Sequence, residues 1–279
     1  MNLPNDFHFT ASNVQDYVTC ERRFVLKYIE QLLWPALPSQ PVQEHERQIQ
    51  NGSLFHQYVQ QCFLGIPLDR IETLIQEPDL IQWWQNFQKY FPEEERRNFI
   101  AYEISLSGRI AAFPVLAKLD AVHFQNGIWT IYDWKTGFRL PKAQTMQAKI
   151  QSRLYPLMLA KCGTRLNHGN PILPEAIRMV YWFPEFSDEP ITIQYDEPQY
   201  AADEAFITNL LQEITDKPKD GFSLTSDERN CKYCIYRSLC DRGTIPGQFS
   251  ALQDDELPSE PLDSSFDMLD FDQLTEIAF

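Results

Sequence analysis

The sequence predicts an α/β fold with a mixed β-sheet flanked by helices, and three observations support this class. Apolar residues recur at helical spacing through much of the first 90 positions. Short runs rich in β-branched and aromatic residues then occupy the middle of the chain. After them, helical and strand segments alternate. This order is typical of one sheet with helices packed against it.

The first helix is predicted to begin behind Ser12, a residue type that caps helix N-termini. Val14, Tyr17, Phe24 and Tyr28 recur behind it at spacings of three, four and seven residues. Such spacing places side chains on one face of a helix. We therefore expect one continuous helix over this stretch.

Two further helices are predicted before the strands. Residues 35–43 contain three prolines and are expected to form a linker. A helix should follow over about 44–63, with His56 inside it and Gly52 one turn earlier. Another helix is predicted over 79–90.

The middle of the chain predicts three strands and a tight turn. Asn126-Gly127 is a residue pair typical of two-residue β-hairpins, so the last two strands should pair directly. After the strands, the pattern predicts helix, strand and helix. The predicted strands are 99–107, 113–124, 128–134 and 177–183, and the later helices are 143–161 and 199–215.

Charge is distributed unevenly along the chain. The net charge is −15, yet residues 250–279 carry nine acids and no Lys or Arg, which leaves 30 acids and 24 bases in residues 1–249. That body, at −6, can still present a local basic groove. We expect one folded domain over 1–249 and an acidic, disordered tail over 250–279. Apolar residues within the tail favour a segment that docks on a protein partner or on the domain itself. A passive disordered end is the alternative.

The expected cellular location and cysteine chemistry follow from two features that the sequence lacks, a membrane-spanning segment and a secretory signal. No run of about 18 apolar residues occurs, so no membrane-spanning helix is expected. The first nine residues include Asp6 and lack the features of a secretory signal. We therefore expect a cytoplasmic protein whose six cysteines do not form a disulfide framework. Cys62 and Cys162 lie in apolar helical contexts and are predicted core thiols.

Two acids and a lysine are expected to meet at one edge of the sheet. Asp133 and Lys135 end a predicted strand and, by strand alternation, share a face. Leu119-Asp120 ends a run of alternating apolar residues in the preceding strand, which the hairpin brings alongside. An Asp-x-Lys sequence alone is common, as a strand-end Asp with a solvated Lys. A second strand-end acid beside it makes a catalytic site the better interpretation.

Phosphodiester hydrolysis needs this combination of groups. Two carboxylates can hold Mg²⁺ or Mn²⁺, because these cations prefer oxygen ligands. The metal polarises the phosphate and lowers the pKa of a bound water. A lysine nearby can orient or deprotonate that water and offset the charge that develops on the phosphate.

Four short motifs, in this order along the chain, resemble those of the PD-(D/E)XK nuclease superfamily, specifically its RecB-like branch. Each is weak alone, but together they are specific, and the match covers roughly residues 10–243. Ala117 stands where the family usually has Gly, and Trp134 stands where it often has Tyr. The motifs are Gly52-Ser53-Leu54-Phe55-His56, Leu119-Asp120, Asp133-Trp134-Lys135-Thr136-Gly137 and Gln151-Ser152-Arg153-Leu154-Tyr155.

The resemblance implies a restriction-endonuclease-like fold and a set of metal ligands. His56, Asp120 and Asp133 would bind the divalent metal, and the backbone carbonyl of Trp134 would complete the coordination. Without the resemblance, a lone histidine inside a helix is more often structural. Glu103, on the strand before Asp120, is a further candidate as an outer ligand of the metal or its water.

The resemblance also implies catalytic roles. Lys135 would act at the reacting phosphate together with Asp120 and Asp133. Gln151 and Tyr155 lie one turn apart on the next helix and would position the substrate phosphate or the lysine. The alternative for these two residues is an ordinary helix surface.

Three cysteines near the C-terminus form a compact group, Cys231-x2-Cys234-x5-Cys240. Three thiolates need a fourth ligand to close a tetrahedral zinc site or a cubane cluster. The resemblance supplies Cys20, in a segment similar to the N-terminal iron–sulfur motif of AddB-type nuclease domains and the CRISPR-associated spacer-acquisition nuclease, with Glu21 replacing the usual Pro. It implies a 4Fe-4S cluster that staples the chain ends. Zinc on the same cysteines, or four free thiols, are the alternatives.

The sequence thus predicts a Mg²⁺- or Mn²⁺-dependent DNA nuclease, acting as an exonuclease on single-stranded ends in repair, recombination or defence. One alternative is a DNA-end-binding subunit of a larger helicase–nuclease or defence complex, with cleavage secondary. The acidic body and tail favour a protein partner, whereas the intact Asp-x-Lys set favours an enzyme. An RNA nuclease is a second alternative, but no feature indicates recognition of a 2′-hydroxyl.

Overall fold

The computed structural model describes residues 3–4, 6–32, 40–232 and 234–243. These residues form a five-stranded mixed sheet in the order β1-β2-β3-β4-β5. The first three strands are an antiparallel meander, β4 runs parallel to β3, and β5 is antiparallel to β4. The strands are β1 (Phe99–Ile110), β2 (Phe113–Gln125), β3 (Ile128–Trp134), β4 (Ile177–Trp182) and β5 (Ile191–Gln194).

Helices cover both faces of this sheet, which confirms the predicted α/β class. α3 and α5 pack on one face around an aromatic core that includes Phe55, Trp83 and Trp182. α1, α8 and α9 pack on the other face. The helices are α1 (Ala11–Thr19), α2 (Glu21–Phe24), α3 (Gln40–Phe63), α4 (Leu68–Glu72), α5 (Pro78–Tyr90), α6 (Glu93–Arg96), α7 (Ala143–Gln147), α8 (Ile150–Cys162) and α9 (Glu197–Asp216).

Strand alternation explains how β3 serves both cores. Ile131 faces the core on the side of α1, α8 and α9, whereas Tyr132 and Trp134 face the aromatic core under α3 and α5. The predicted turn after β2 is confirmed, because Asn126 and Gly127 both have left-handed φ angles, of 51° and 81°.

The predicted cap of the first helix was wrong. Thr10, not Ser12, caps α1, because the Thr10 hydroxyl accepts from the Asn13 backbone N–H at 3.2 Å. The Asn13 side-chain oxygen in turn accepts from the Thr10 N–H at 2.9 Å. This reciprocal capping box starts the helix two residues earlier than Ser12 would.

The first helix is also not continuous to Tyr28. Cys20 has an extended backbone (φ −161°, ψ 107°), which ends α1 and separates it from α2. α2 then continues into a π-helical turn over Val25–Ile29. The break at Cys20 is a local irregularity that periodicity of apolar residues does not reveal.

Two other helix boundaries differ from the predictions. Residues 40–43 of the predicted linker belong to α3. The helix tolerates Pro41 because this residue lies in the first turn, where a missing N–H costs no hydrogen bond. Residues 33–39 lie outside the described part of the chain. The single helix predicted over 143–161 is divided into α7 and α8, because Lys149 has an extended ψ of 146°.

Residues 250–279, predicted as an acidic tail, lie outside the described residues, as does the boundary after residue 249. Among the described helices, none combines the length and the apolar character that crossing a membrane requires. Cys62 and Cys162 are partly buried, and each packs against one of the two cores.

Candidate active site

Three carboxylates lie in one row across β1, β2 and β3. Tyr102 pairs with Ala121 and Ile104 pairs with Leu119, so Glu103 lies opposite Asp120 between these pairs. In the β2–β3 register Ala121 pairs with Tyr132, so Asp120 and Asp133 lie opposite each other one residue further along. Glu103 has a left-handed φ of 47°, an uncommon conformation for a residue other than glycine and one that costs about 1–3 kcal/mol. Strain of this kind inside a strand indicates a functional constraint.

His56 reaches this row from α3. Its Nδ1 lies 3.7 Å from Oδ2 of Asp120, and its Nε2 lies 3.0 Å from the carbonyl oxygen of Trp134. With the proton on Nε2, the ring donates to that carbonyl and turns the Nδ1 lone pair towards the carboxylates. The Trp134 backbone N–H donates to Asp120 Oδ2 at 2.8 Å, which holds the carboxylate in place.

Ligand atoms of His56, Glu103 and Asp120 all lie within 4.8 Å of one another. Burial, and then the negative charge of Glu103, raise the pKa of Asp120 to about 7. Burial lowers the pKa of His56, which favours the neutral imidazole that binds metals. Two carboxylates that repel each other, beside a neutral imidazole, fit a divalent cation.

Asp133 belongs to a second set of contacts on the α8 side. Its side chain is 2% exposed, and its Oδ2 lies 3.0 Å from Lys135 Nζ. Gln151 Nε2 donates to Asp133 Oδ1 at 2.8 Å and to the Tyr155 hydroxyl at 3.0 Å. Burial, and then the charge of Asp133, raise the pKa of Tyr155, so this residue stays a neutral phenol. The four residues predicted from two separate motifs therefore form one chain of contacts.

The two sets adjoin each other. The positive charge of Lys135 opposes the rise in the Asp120 pKa, and the negative charge of Asp133 opposes the fall in the His56 pKa. A lysine therefore stands beside a group of hard donor atoms, as metal-assisted phosphodiester cleavage requires.

A comparison with protein families agrees with this geometry. The model of the PD-(D/E)XK nuclease superfamily matches residues 8–241, well over half of the chain. The chain belongs to the PD-(D/E)XK nuclease superfamily. Membership implies a metal-dependent nuclease. No curated protein matches the chain.

Two crystal structures resemble this nuclease at low similarity. The structure of SSO0001 shares 14% identity at a TM-score of 0.38, with 88% of this chain and 90% of that chain covered. The structure of a candidate exonuclease from Eubacterium rectale shares 13% identity at a TM-score of 0.44, with 89% and 96% covered. Likenesses this distant carry no information about substrate.

Four cysteines of the nuclease line a single pocket. Cys20 contributes from the break between α1 and α2, and Cys231, Cys234 and Cys240 contribute from the C-terminal turns. All are free thiols. Burial raises the pKa of these three C-terminal thiols, that of Cys234 to about 11, and the nearby Cys20 adds to each rise. The structure thus brings together residues more than 200 positions apart.

Glu21, which stands where the resembling motif has proline, joins the same two chain regions. Its carboxylate forms an ion pair with Lys217 and accepts from the Ser223 N–H at 2.8 Å. The Arg22 N–H donates to the Ser223 carbonyl at 3.1 Å. The substitution therefore supplies polar links beside the cysteine pocket.

The sequence predicts Glu103 as an outer ligand, and the structure places it within the three-donor group with His56 and Asp120. The signal that identifies it is the register of the β1–β2 hairpin, in which Ile110 pairs with Phe113. Counting seven further positions beyond the Ile110–Phe113 pair places Glu103 opposite Asp120.

Proposed function

We propose that this nuclease hydrolyses phosphodiester bonds at single-stranded DNA ends, as an exonuclease of the RecB-like branch that uses Mg²⁺ or Mn²⁺. The observation that carries this proposal is the three-donor group beside the Asp133–Lys135 pair. The order of the four motifs supports the RecB-like assignment and the DNA substrate. A role in repair, recombination or defence accords with such an activity.

His56, Glu103 and Asp120 are the residues we propose as metal ligands. Asp133 and the Trp134 carbonyl are further ligands by the motif. The Trp134 backbone contacts Asp120 and His56. The charge of Asp133 acts on His56. When bound, the divalent cation supplies Lewis-acid chemistry and lowers the pKa of a water molecule.

Lys135 is the proposed catalytic cation. Its ammonium is held 3.0 Å from the buried Asp133 carboxylate, so its position is fixed before substrate arrives. There it can offset charge on the reacting phosphate and hydrogen-bond the attacking water. Gln151 and Tyr155 are positioning residues, because Gln151 donates to Asp133 from the α8 side and Tyr155 accepts from the same Gln151 amide.

A 4Fe-4S cluster is proposed for the four-cysteine pocket. One observation supports it beyond the motif, since all four thiols line one pocket. Four thiolates are the ligand set of a cubane, in which each thiolate binds a separate iron. Zinc on the same four cysteines is the alternative.

A cleavage assay tests the proposed nuclease. Full-length protein should cut labelled single-stranded DNA with Mg²⁺ or Mn²⁺ and not with a chelator. Lys135→Ala should lose about 100-fold or more, because the charge on the reacting phosphate is no longer offset. Lys89→Ala, which removes an exposed lysine on α5, is the matched control and should cut normally.

Two results would contradict the proposal. Full activity in folded Lys135→Ala protein would remove the catalytic assignment. Tight binding of DNA ends without any metal-dependent cleavage would instead favour the end-binding subunit of a larger complex.

A further inference from the structure

The segment 134–174 contains no Asp or Glu, although 39 acids in 279 residues would place about six in 41 positions. It starts at the end of β3, inside the candidate site, and runs through α7 and α8. Within a chain of net charge −15, this stretch is purely cationic. Its bases are Lys135, Arg139, Lys142, Lys149, Arg153, Lys161 and Arg165.

Two of these bases are engaged by acids of α9. Arg153 lies 2.7 Å from Asp203, and Lys161 lies 2.5 Å from Glu204. Arg139 and Lys142, the bases nearest in sequence to Lys135, are both solvent-exposed. The segment that borders the site therefore presents positive charge at the protein surface.

Phe138 lies between Lys135 and these exposed bases, and its side chain is 42% exposed. Its ring centroid is 6.0 Å from that of Trp83, which is 1% exposed. The Trp83 Nε1–H donates to Glu185 at 2.9 Å, so this support is fixed. One side of the Phe138 ring is thus backed by a rigid aromatic residue, and the rest faces solvent.

We propose that Phe138 stacks on an unpaired base of the substrate, within a segment whose net positive charge attracts the neighbouring phosphates. Phe138 lies three positions after Lys135, so their Cα atoms are within about 10 Å of each other and the stacked base lies about one to a few nucleotides from the reacting phosphate. Stacking needs a base with an open face, which selects a single strand or a frayed end over an intact duplex. This inference rests on the proposed nuclease function and adds a residue that determines the preference for single strands over duplex.

A binding measurement tests this role. The affinity for a labelled single-stranded oligodeoxynucleotide is measured by fluorescence anisotropy, with a chelator present to prevent cleavage. Phe138→Ala should raise Kd about 5- to 150-fold, the range for loss of one stacked base. Phe138→Trp should bind as tightly as the wild type or more so. On an abasic oligomer of equal length, Phe138→Ala and the wild type should bind equally, because no base remains to stack.

Phe124→Ala is the matched control. Phe124 is also a half-exposed phenylalanine packed on a tryptophan, Trp129, at 4.5 Å, but it lies beside the β2–β3 turn. It should bind single strands like the wild type. The stacking role would be overturned if Phe138→Ala bound single strands as tightly as the wild type, or if Phe138→Ala and Phe124→Ala lost the same affinity.

Cleavage measured in parallel separates this inference from the function on which it rests. If the wild type cuts single strands and Phe138→Ala binds them normally, only the stacking role fails. If the wild type neither binds nor cuts single strands, both proposals fail.

Discussion

Gly52 of α3 lies directly against Thr136, the residue that follows Lys135. A β-carbon at position 52 would lie 2.5 Å from the Thr136 hydroxyl oxygen, a separation that real side chains do not adopt. The glycine therefore permits α3 to approach the end of β3. That approach brings His56, one turn later on the same helix, to Asp120 and Trp134.

Gly52→Ala should destabilise the protein and reduce cleavage. Overpacking costs about 1–3 kcal/mol, which exceeds the gain of about 1 kcal/mol that alanine brings to a helix. Thr136→Ala removes the clashing hydroxyl, so the double variant should be more stable than the sum of the single effects predicts. Urea unfolding of the four proteins measures this coupling, and strict additivity would contradict the contact.

Gln151→Ala should reduce cleavage about 10- to 100-fold, as loss of a residue supporting a metal site commonly does. The change removes the donor that holds Asp133 Oδ1 from α8. Tyr155→Phe should cost less, because Gln151 still donates to Asp133. Rates on single-stranded DNA under saturating Mn²⁺ measure both effects. A larger loss from Tyr155→Phe than from Gln151→Ala would show that the hydroxyl itself acts on substrate.

Protein purified without oxygen should be brown and contain about four irons per chain. Cys20→Ser should lose the colour and unfold more easily, because cluster binding contributes to folding free energy. Cys62→Ser makes the same substitution outside the pocket and should keep its iron. Metal analysis and thermal unfolding provide the measurements. One zinc and no iron in the wild type would exclude the cluster while leaving a metal staple in place.

A chain that ends after Phe249 should bind single-stranded DNA more tightly and cut it faster. The removed residues carry nine acids and no base, whereas the segment 134–174 is free of acids, so the tail can compete with substrate phosphates. The difference should shrink as salt concentration rises.

A full-length variant with those acids changed to Asn and Gln is the control for charge, and it should behave like the truncated chain. Unchanged cleavage together with loss of a co-purifying protein would instead indicate partner docking. If the truncated chain matches the full chain in all of these respects, the tail is passive.

Much of the sheet and part of the site could be predicted from local sequence patterns. The run rich in β-branched and aromatic residues predicted β3 to the residue, and the Asn126-Gly127 turn fixed its pairing with β2. Alternation likewise placed Asp133 and Lys135 on one face, where they form an ion pair. These features depend on neighbours two to four residues apart, so a single sequence contains them.

Helix boundaries were less accessible. The capping box at Thr10 and Asn13, the break at Cys20 and the division between α7 and α8 each depend on backbone geometry. Apolar periodicity is nearly the same with or without such breaks. It predicts that a helix exists more reliably than it predicts where the helix begins and ends.

Contacts between distant segments were decided by register and packing. Glu103 joins His56 and Asp120 only because the β1–β2 register sets its position in the row. The partners of Gly52 and Phe138, Thr136 and Trp83, lie more than 50 residues away in sequence. No local pattern encodes such pairs, because their side chains meet only after helices have packed on both faces of a formed sheet.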